Sequence, residues 1–234
     1  MPETRRDTVL NAIRRGLRRG PLPEDQAGML RARLAHPPRH LIPARSRLPH
    51  AGQVALFARN LEATFGSVAF VDHPADVPAA VADYLSAQNL PAELAVSPHP
   101  EITGLPWASR PLLSLRVGRA EASDAVSVQH GFAGIAETGT LMLPSGPDRP
   151  TTLNLLPDTE IVVLAAGRIV GAYEEAWDLL RAAGPMPRNV MLVTGPSRSA
   201  DIEQTLELGA HGPRRLHVVI VGEATAADGG TEAA

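Results

Sequence analysis

Cysteine is absent from this 234-residue chain. That excludes disulfides, a thiol nucleophile, a zinc ribbon and a conventional thiolate-held iron–sulfur cluster. Any redox role therefore needs an organic cofactor, whose identity the sequence leaves open, or a partner's metal. Lysine is absent too, since all 22 basic residues are arginine. A Schiff-base lysine, a catalytic amine and the lysine of a phosphate-binding P-loop drop out with it. Aromatics make up only 3%, so Val, Leu, Ile and Ala must fill the core, and stacking platforms for single-stranded bases are scarce. No apolar run reaches the ~18 residues of a membrane span. The start, MPETRRDTVLNAIRRGLRRG, lacks the apolar h-region and cleavage site of a secretory signal. The expectation is a cytoplasmic protein.

The residues that are present suit a globular chain, 44% hydrophobic and 20% charged, long enough for one large domain with an appendage. The net charge of −3 is uneven. Residues 1–47 carry 11 arginines against four acids, a net +7, and the remainder 11 arginines against 21 acids, a net −10. In the basic part, arginines interleave with Val9, Leu10, Ile13 and Leu17, which reads as an amphipathic helix over residues 4–19 stopped by Gly20-Pro21. Without interleaved aromatics this arm argues against nucleic acid and fits docking on an acidic protein or packing. The expected organisation is a helical, Arg-rich arm over 1–47, an α/β domain over 48–223, and a disordered tail over 224–234.

Within the domain, Val54, Phe57, Leu61 and Phe65 recur at helical spacing. Apolar strands are expected at 68–71, 94–96, 112–117, 161–165, 190–193 and 216–221, with a strand–bend–strand over 125–143. Helices are expected after Asp76, around Ala176–Leu180, and after Ser199, the last carrying Ile202 and Leu206. Strands alternating with helices predict an α/β, three-layer fold: a sheet with helices on both faces.

Two segments stand out for chemistry. In Glu137-Thr138-Gly139-Thr140, a carboxylate sits where a strand breaks. It suits a nucleophile or base, a partner for Arg149, or a structural ion pair. The threonine hydroxyls suit an anion or simply the turn. In Gly195-Pro196-Ser197-Arg198-Ser199, with Asp201 in the following turn, a loop leads from a strand into the expected helix. Amides at a helix start, serine hydroxyls and the Arg198 fork make an anion site, and capping alone is the alternative. His211, between glycines, is placed as a general base or as a loop hydrogen-bonder. The candidate catalytic pair is Glu137 and His211. The candidate ligand set is Thr138, Gly139, Thr140, Arg149, Gly195, Ser197, Arg198, Ser199 and Asp201, with no metal site.

The runs GIAETGTLML (134–143) and GPSRSADIEQTLELGAHGPRRLHVVIV (195–221), with the Pro150–Leu156 stretch between them, resemble the LutC-type members of the LUD-domain family. The resemblance covers about Gln53 to Val221. It implies a fold similar to the NagB/RpiA/CoA-transferase-like group, and a role in oxidising L-lactate to pyruvate beside partner subunits that carry iron–sulfur centres. The chain would then be the cluster-free subunit, holding a small anion. A stand-alone acyl, CoA or phosphosugar transferase or isomerase is a second reading, and a non-catalytic assembly module a third. A homo-oligomer is compatible with each.

Overall fold

In the computed structural model, which describes residues 4–39, 41–200 and 206–222, the first helix starts at a reciprocal cap. Thr4 Oγ1 accepts the Asp7 amide and Asp7 accepts the Thr4 amide, so two otherwise orphaned donors are satisfied and α1 runs Arg5–Gly16. Glu24 and Asp25 answer the dipole at the start of α2 (Glu24–Ala35). Neither helix buries a side chain. Both belong to the first of two units, Met1–Leu41 and Ile42–Ala234.

The second unit begins with α3 (His50–Ala63), whose Val54, Phe57 and Leu61 are wholly buried at the anticipated spacing. β1 (Ser67–Val71), α4 (Val77–Ala87), β2 (Glu93–Val96), the one-turn α5 (Pro100–Thr103), β3 (Ser114–Val117) and β4 (Val126–His130) follow. Then come β5 (Ala133–Ile135), β6 (Thr140–Pro144), β7 (Thr159–Ala165), β8 (Ile169–Val170), α6 (Tyr173–Ala182) and β9 (Val190–Val193). β10 (Arg198–Ala200), β11 (Leu206–Leu208) and β12 (Arg215–Val221) complete the chain.

Six strands form one parallel sheet, ordered β1-β12-β7-β4-β2-β3. Its inner strands β7 and β12 are largely apolar on both faces, as a sheet covered on both sides requires, with buried polar exceptions such as Glu160 and His217. Leu216, Val218 and Ile220 of β12 face α3, while Val219 faces the α4 side with Val81, Leu85 and Ile161. The fold is the expected α/β class, with one addition. A second sheet, β8-β5-β6-β9, shares the α3 face, where Leu141 and Leu143 pack on Val162 and Leu164. Its other side carries α6. The acid-threonine segment enters this second sheet.

The expected helix after Ser199 is not present at its described positions. Arg198–Ala200 pairs antiparallel with Leu206–Leu208. Ser197 N–H is donated to Pro213 O and Gly209 N–H to Ser197 O, so the described backbone here is committed to a hairpin. Residues 201–205 and the tail expected over 224–234 lie outside the described residues. Among the described residues no helix is long and apolar enough to cross a membrane.

Buried His217 of β12 stacks on Tyr84 at 3.9 Å and bonds Ser67 through Nδ1. Burial lowers its pKa to about 4. A histidine whose folded pKa lies below its unfolded value near 6.5 contributes stability fully above about pH 6.5, and this is lost as pH falls toward 4. Thermal melts of the wild type should therefore weaken across that window. His217→Phe should lower the melting temperature at neutral pH and flatten the acid limb; an unchanged acid slope would refute the assignment.

Candidate functional site

Loops at the carboxyl ends of parallel strands are where open α/β sheets hold ligands, and here they bring together a cluster that sequence reasoning overlooked. Ser97 follows β2, its amide held by Val128 O. The Ser97 hydroxyl donates to Asp148 O at 2.6 Å, tying β2 to the Gly146–Arg149 turn. His99 caps α5, and His130 ends β4 on the α4 side of the sheet. The two imidazoles stack, with centroids 3.9 Å apart. Arg149 Nη2 lies 2.7 Å from His99 Nε2, and Arg149 Nε donates toward His130 Nδ1 at 3.5 Å.

Burial, reinforced by Arg149, lowers the pKa of His99. Burial, then His99 and Arg149, takes His130 to about 3. Both rings are neutral at pH 7, so neither adds charge beside Arg149, whose Nη1 is paired with Asp148 Oδ2 at 3.5 Å. Glu101 Oε2 approaches His130 Nε2 at 3.4 Å, and Asp148 Oδ2 approaches His99 Nε2, the nitrogen that faces Arg149, at 3.6 Å. His99, Glu101 and His130 present donor atoms within 4.8 Å of one another, the spacing of a metal site. A guanidinium against His99 Nε2 opposes a cation there, and an imidazole that accepts from arginine is not available as a ligand.

His130 lines a mostly apolar cavity of about 260 Å³ between α4 and α5. Arg149 lines a second, of about 310 Å³, with Arg119, Ser145, Thr151 and Thr152. No acidic side chain is among the described residues lining that second cavity; Asp148, the carboxylate paired with Arg149, lies outside its lining. Paired guanidinium forks with three hydroxyls offer a carboxylate donors on several sides.

Of the described residues expected from the sequence, Arg149 alone reaches this cluster. Glu137 does not pair with it. Glu137 Oε1 instead takes a 2.6 Å bond from Arg45 of the connection before α3. Thr138 and Thr140 bond each other at 2.6 Å, both reach the Tyr173 hydroxyl, and Thr140 bonds Thr194 at 2.6 Å. Gly139 (φ +66°) and Gly195 (φ +76°) press on the end of α3: an added Cβ would stand 2.4 Å from Leu61 N and 2.5 Å from Thr64 O, respectively. The two segments thus meet on α3. Ser197, Arg198 and His211 line a different cavity of about 270 Å³ that Glu137, Thr138 and Thr140 do not line. The Ser197 hydroxyl accepts the His211 amide at 3.3 Å, and Arg198 lies over the Phe65 ring. Ser199 falls in β10, and Asp201 lies outside the described residues. His99 and His130 left one usable trace in the sequence: each sits at or just beyond the carboxyl end of an apolar strand.

Because the Arg45 side chain is 68% exposed, its pair with Glu137 is worth little. Arg45→Ala should change stability by less than about 1 kcal/mol in denaturant melts. A larger loss would mark the pair as a clamp on the connection.

Comparison with known proteins places these features. An uncharacterized protein of Neisseria meningitidis is 39% identical over 100 residues, 41% of this chain and 43% of that protein. Lactate utilization protein C of Bacillus subtilis is 38% identical over 93 residues, 38% of this chain and 39% of its own. Lactate utilization protein C of Deinococcus radiodurans is 35% identical over 123 residues, 50% of this chain and 58% of its own. The chain thus spans between about two fifths and three fifths of these relatives' lengths. The crystal structure of a DUF162 family protein from Deinococcus radiodurans superposes with a TM-score of 0.54 at 24% identity, over 75% of this chain and 99% of that one, and shares the fold. The LUD domain model matches residues 54–221, nearly the whole of the second unit, and on that match the chain belongs to the LUD domain family.

Proposed function

We propose that this chain serves lactate utilization as a cluster-free component that binds a small carboxylate anion, with Arg149 as the group that holds the carboxylate. The observation that carries the reading is the cavity lined by Arg149 and Arg119 with the Ser145, Thr151 and Thr152 hydroxyls and, among the described residues, no acid. The names of the relatives supply the biological setting. Lactate and pyruvate each present one carboxylate to a guanidinium fork and one further oxygen to hydroxyl donors. His99 and His130, kept neutral, hold the guanidinium in place without adding charge of their own. A chain without cysteine carries no thiolate-held cluster, so electrons leaving lactate would pass to iron–sulfur-bearing partner subunits, in a cytoplasmic assembly. Glu137, bonded to Arg45, is not used as a nucleophile in this reading.

The test is genetic and biochemical together. A deletion strain should lose growth on lactate and regain it with the wild-type gene but not with Arg149→Met. The purified protein should be stabilised in thermal melts by lactate or pyruvate. Normal lactate growth of the deletion strain would refute the role; stabilisation that persists undiminished in Arg149→Met would refute the site.

A further inference from the structure

At the amino-terminal ends of β7 and β12 lies the cavity of about 270 Å³ that contains Ser197 and His211. We propose that this cavity is a second binding site, for a small carboxylate, in which Glu160 supplies the orienting hydrogen-bond donor.

Glu160 is the second residue of β7, in the middle of the parallel sheet between Ser127 and Leu216, and is only 1% exposed. Its Oε1 accepts from the Gln129 side-chain amide, while Oε2 has no partner among the described residues. Buried polar atoms without partners are rare, and this one belongs to a side chain that lines a cavity. Burial pushes the Glu160 carboxyl up to about 8, against the smaller opposing effect of the Gln129 bond. Near neutral pH the group is therefore a carboxylic acid, and its second oxygen offers a proton rather than a charge.

The surrounding side chains fit the same ligand. Asn154, Thr194 and Ser197 bring an amide and two hydroxyls, and Arg198 and His211 are the other ionisable groups lining the space. Because Ser197 Oγ already accepts the His211 amide, its proton is directed to another acceptor. A neutral acid and a carboxylate share a strong hydrogen bond without bringing two charges together. A doubly charged phosphate would need more cationic partners than Arg198, which is stacked on Phe65. An amine ligand would meet Arg198 as a like charge. The cavity shares no lining residue with the two beside Arg149, so this site stands or falls separately from the proposed lactate role.

Titration of the full ¹⁵N-labelled chain with acetate, lactate and phosphate, following the Gly195, Ser197 and Gly212 amides, reads the site directly. Acetate and lactate should shift these amides saturably, in wild type and in Arg149→Met alike. Glu160→Met should weaken the binding by about ten-fold or more, and Glu160→Gln, which keeps a neutral donor, by no more than about three-fold. Wild-type affinity should fall above about pH 8, and Glu160→Gln should lack that fall; Arg198 and His211 are common to both proteins. Absence of a saturable shift with either carboxylate overturns the proposal, as does equal affinity in Glu160→Met. Phosphate binding as tight as acetate overturns the assignment to carboxylates. Should Glu160→Met not fold, parallel pH profiles of wild type and Glu160→Gln overturn it equally.

Discussion

Arg149→Met is expected to weaken lactate or pyruvate binding at the Arg149 cavity by about 100-fold. A guanidinium that bonds a carboxylate through two N–H groups contributes about 3 kcal/mol as charged hydrogen bonds, and 1.36 kcal/mol is a factor of ten. Methionine preserves much of the apolar stem, so the loss reads the fork and not the packing. The change also frees His99 Nε2 and His130 Nδ1 from Arg149, so the pKa of His130, lowered in part by that neighbour, should move up toward its ordinary value. An NMR titration of His130 in the variant thus gives an independent sign that the cluster has been opened. Arg149→Lys should recover charge but not the planar fork, giving intermediate affinity. Isothermal titration calorimetry on the three proteins decides the matter: equal affinities would remove Arg149 from the site.

Gly139→Ala is expected to be the most damaging single-methyl change in the chain's two sequence motifs. Gly139 takes a left-handed φ of +66°, and the new Cβ would stand 2.4 Å from Leu61 N and 2.7 Å from Asn60 C. The conformational penalty is about 1–2 kcal/mol for an L-residue, and forcing α3 away from the turn adds to it. The same helix is fastened to the turn by Asn60, whose side-chain amide donates to Ala136 O and Glu137 O at 2.8 and 3.1 Å. A total loss of about 3 kcal/mol is expected, or about 6–12 °C in melting temperature for a domain of this size. A shift of only a degree or two would show that α3 yields easily, and that the glycine is not held in place by packing.

That clamp explains why the acid-threonine motif is so conspicuous in the sequence without lining any of the cavities described. A glycine that must take a positive φ, an asparagine-held backbone and a part-buried threonine network around Thr140 are demands of packing, and they leave the same trace as a ligand site. The Gly195 loop shows the same ambiguity. Its glycine is explained by Thr64 O, yet Ser197 beyond it does line a cavity. The helix expected after Ser199 rests on the apolar spacing of Ile202 and Leu206. Local spacing carries no information about Pro213 O, which takes the Ser197 amide from outside the segment and commits the backbone to a hairpin.

The class of fold was legible in the sequence, because strands covered on both faces are mostly apolar and α3 must repeat its apolar residues every three or four positions. The sequence by itself also determined the chemistry excluded by the absence of cysteine and lysine, since no folding can supply a missing thiolate or amine. Only the tertiary structure decided which polar residues meet. His99, His130 and Arg149 lie in separate parts of the chain and share no local period. They become neighbours because the parallel register of β2 and β4 aligns their carboxyl ends and Ser97 draws in the turn that carries Arg149. Contacts across a sheet are set by strand order, and strand order is not written in any one segment.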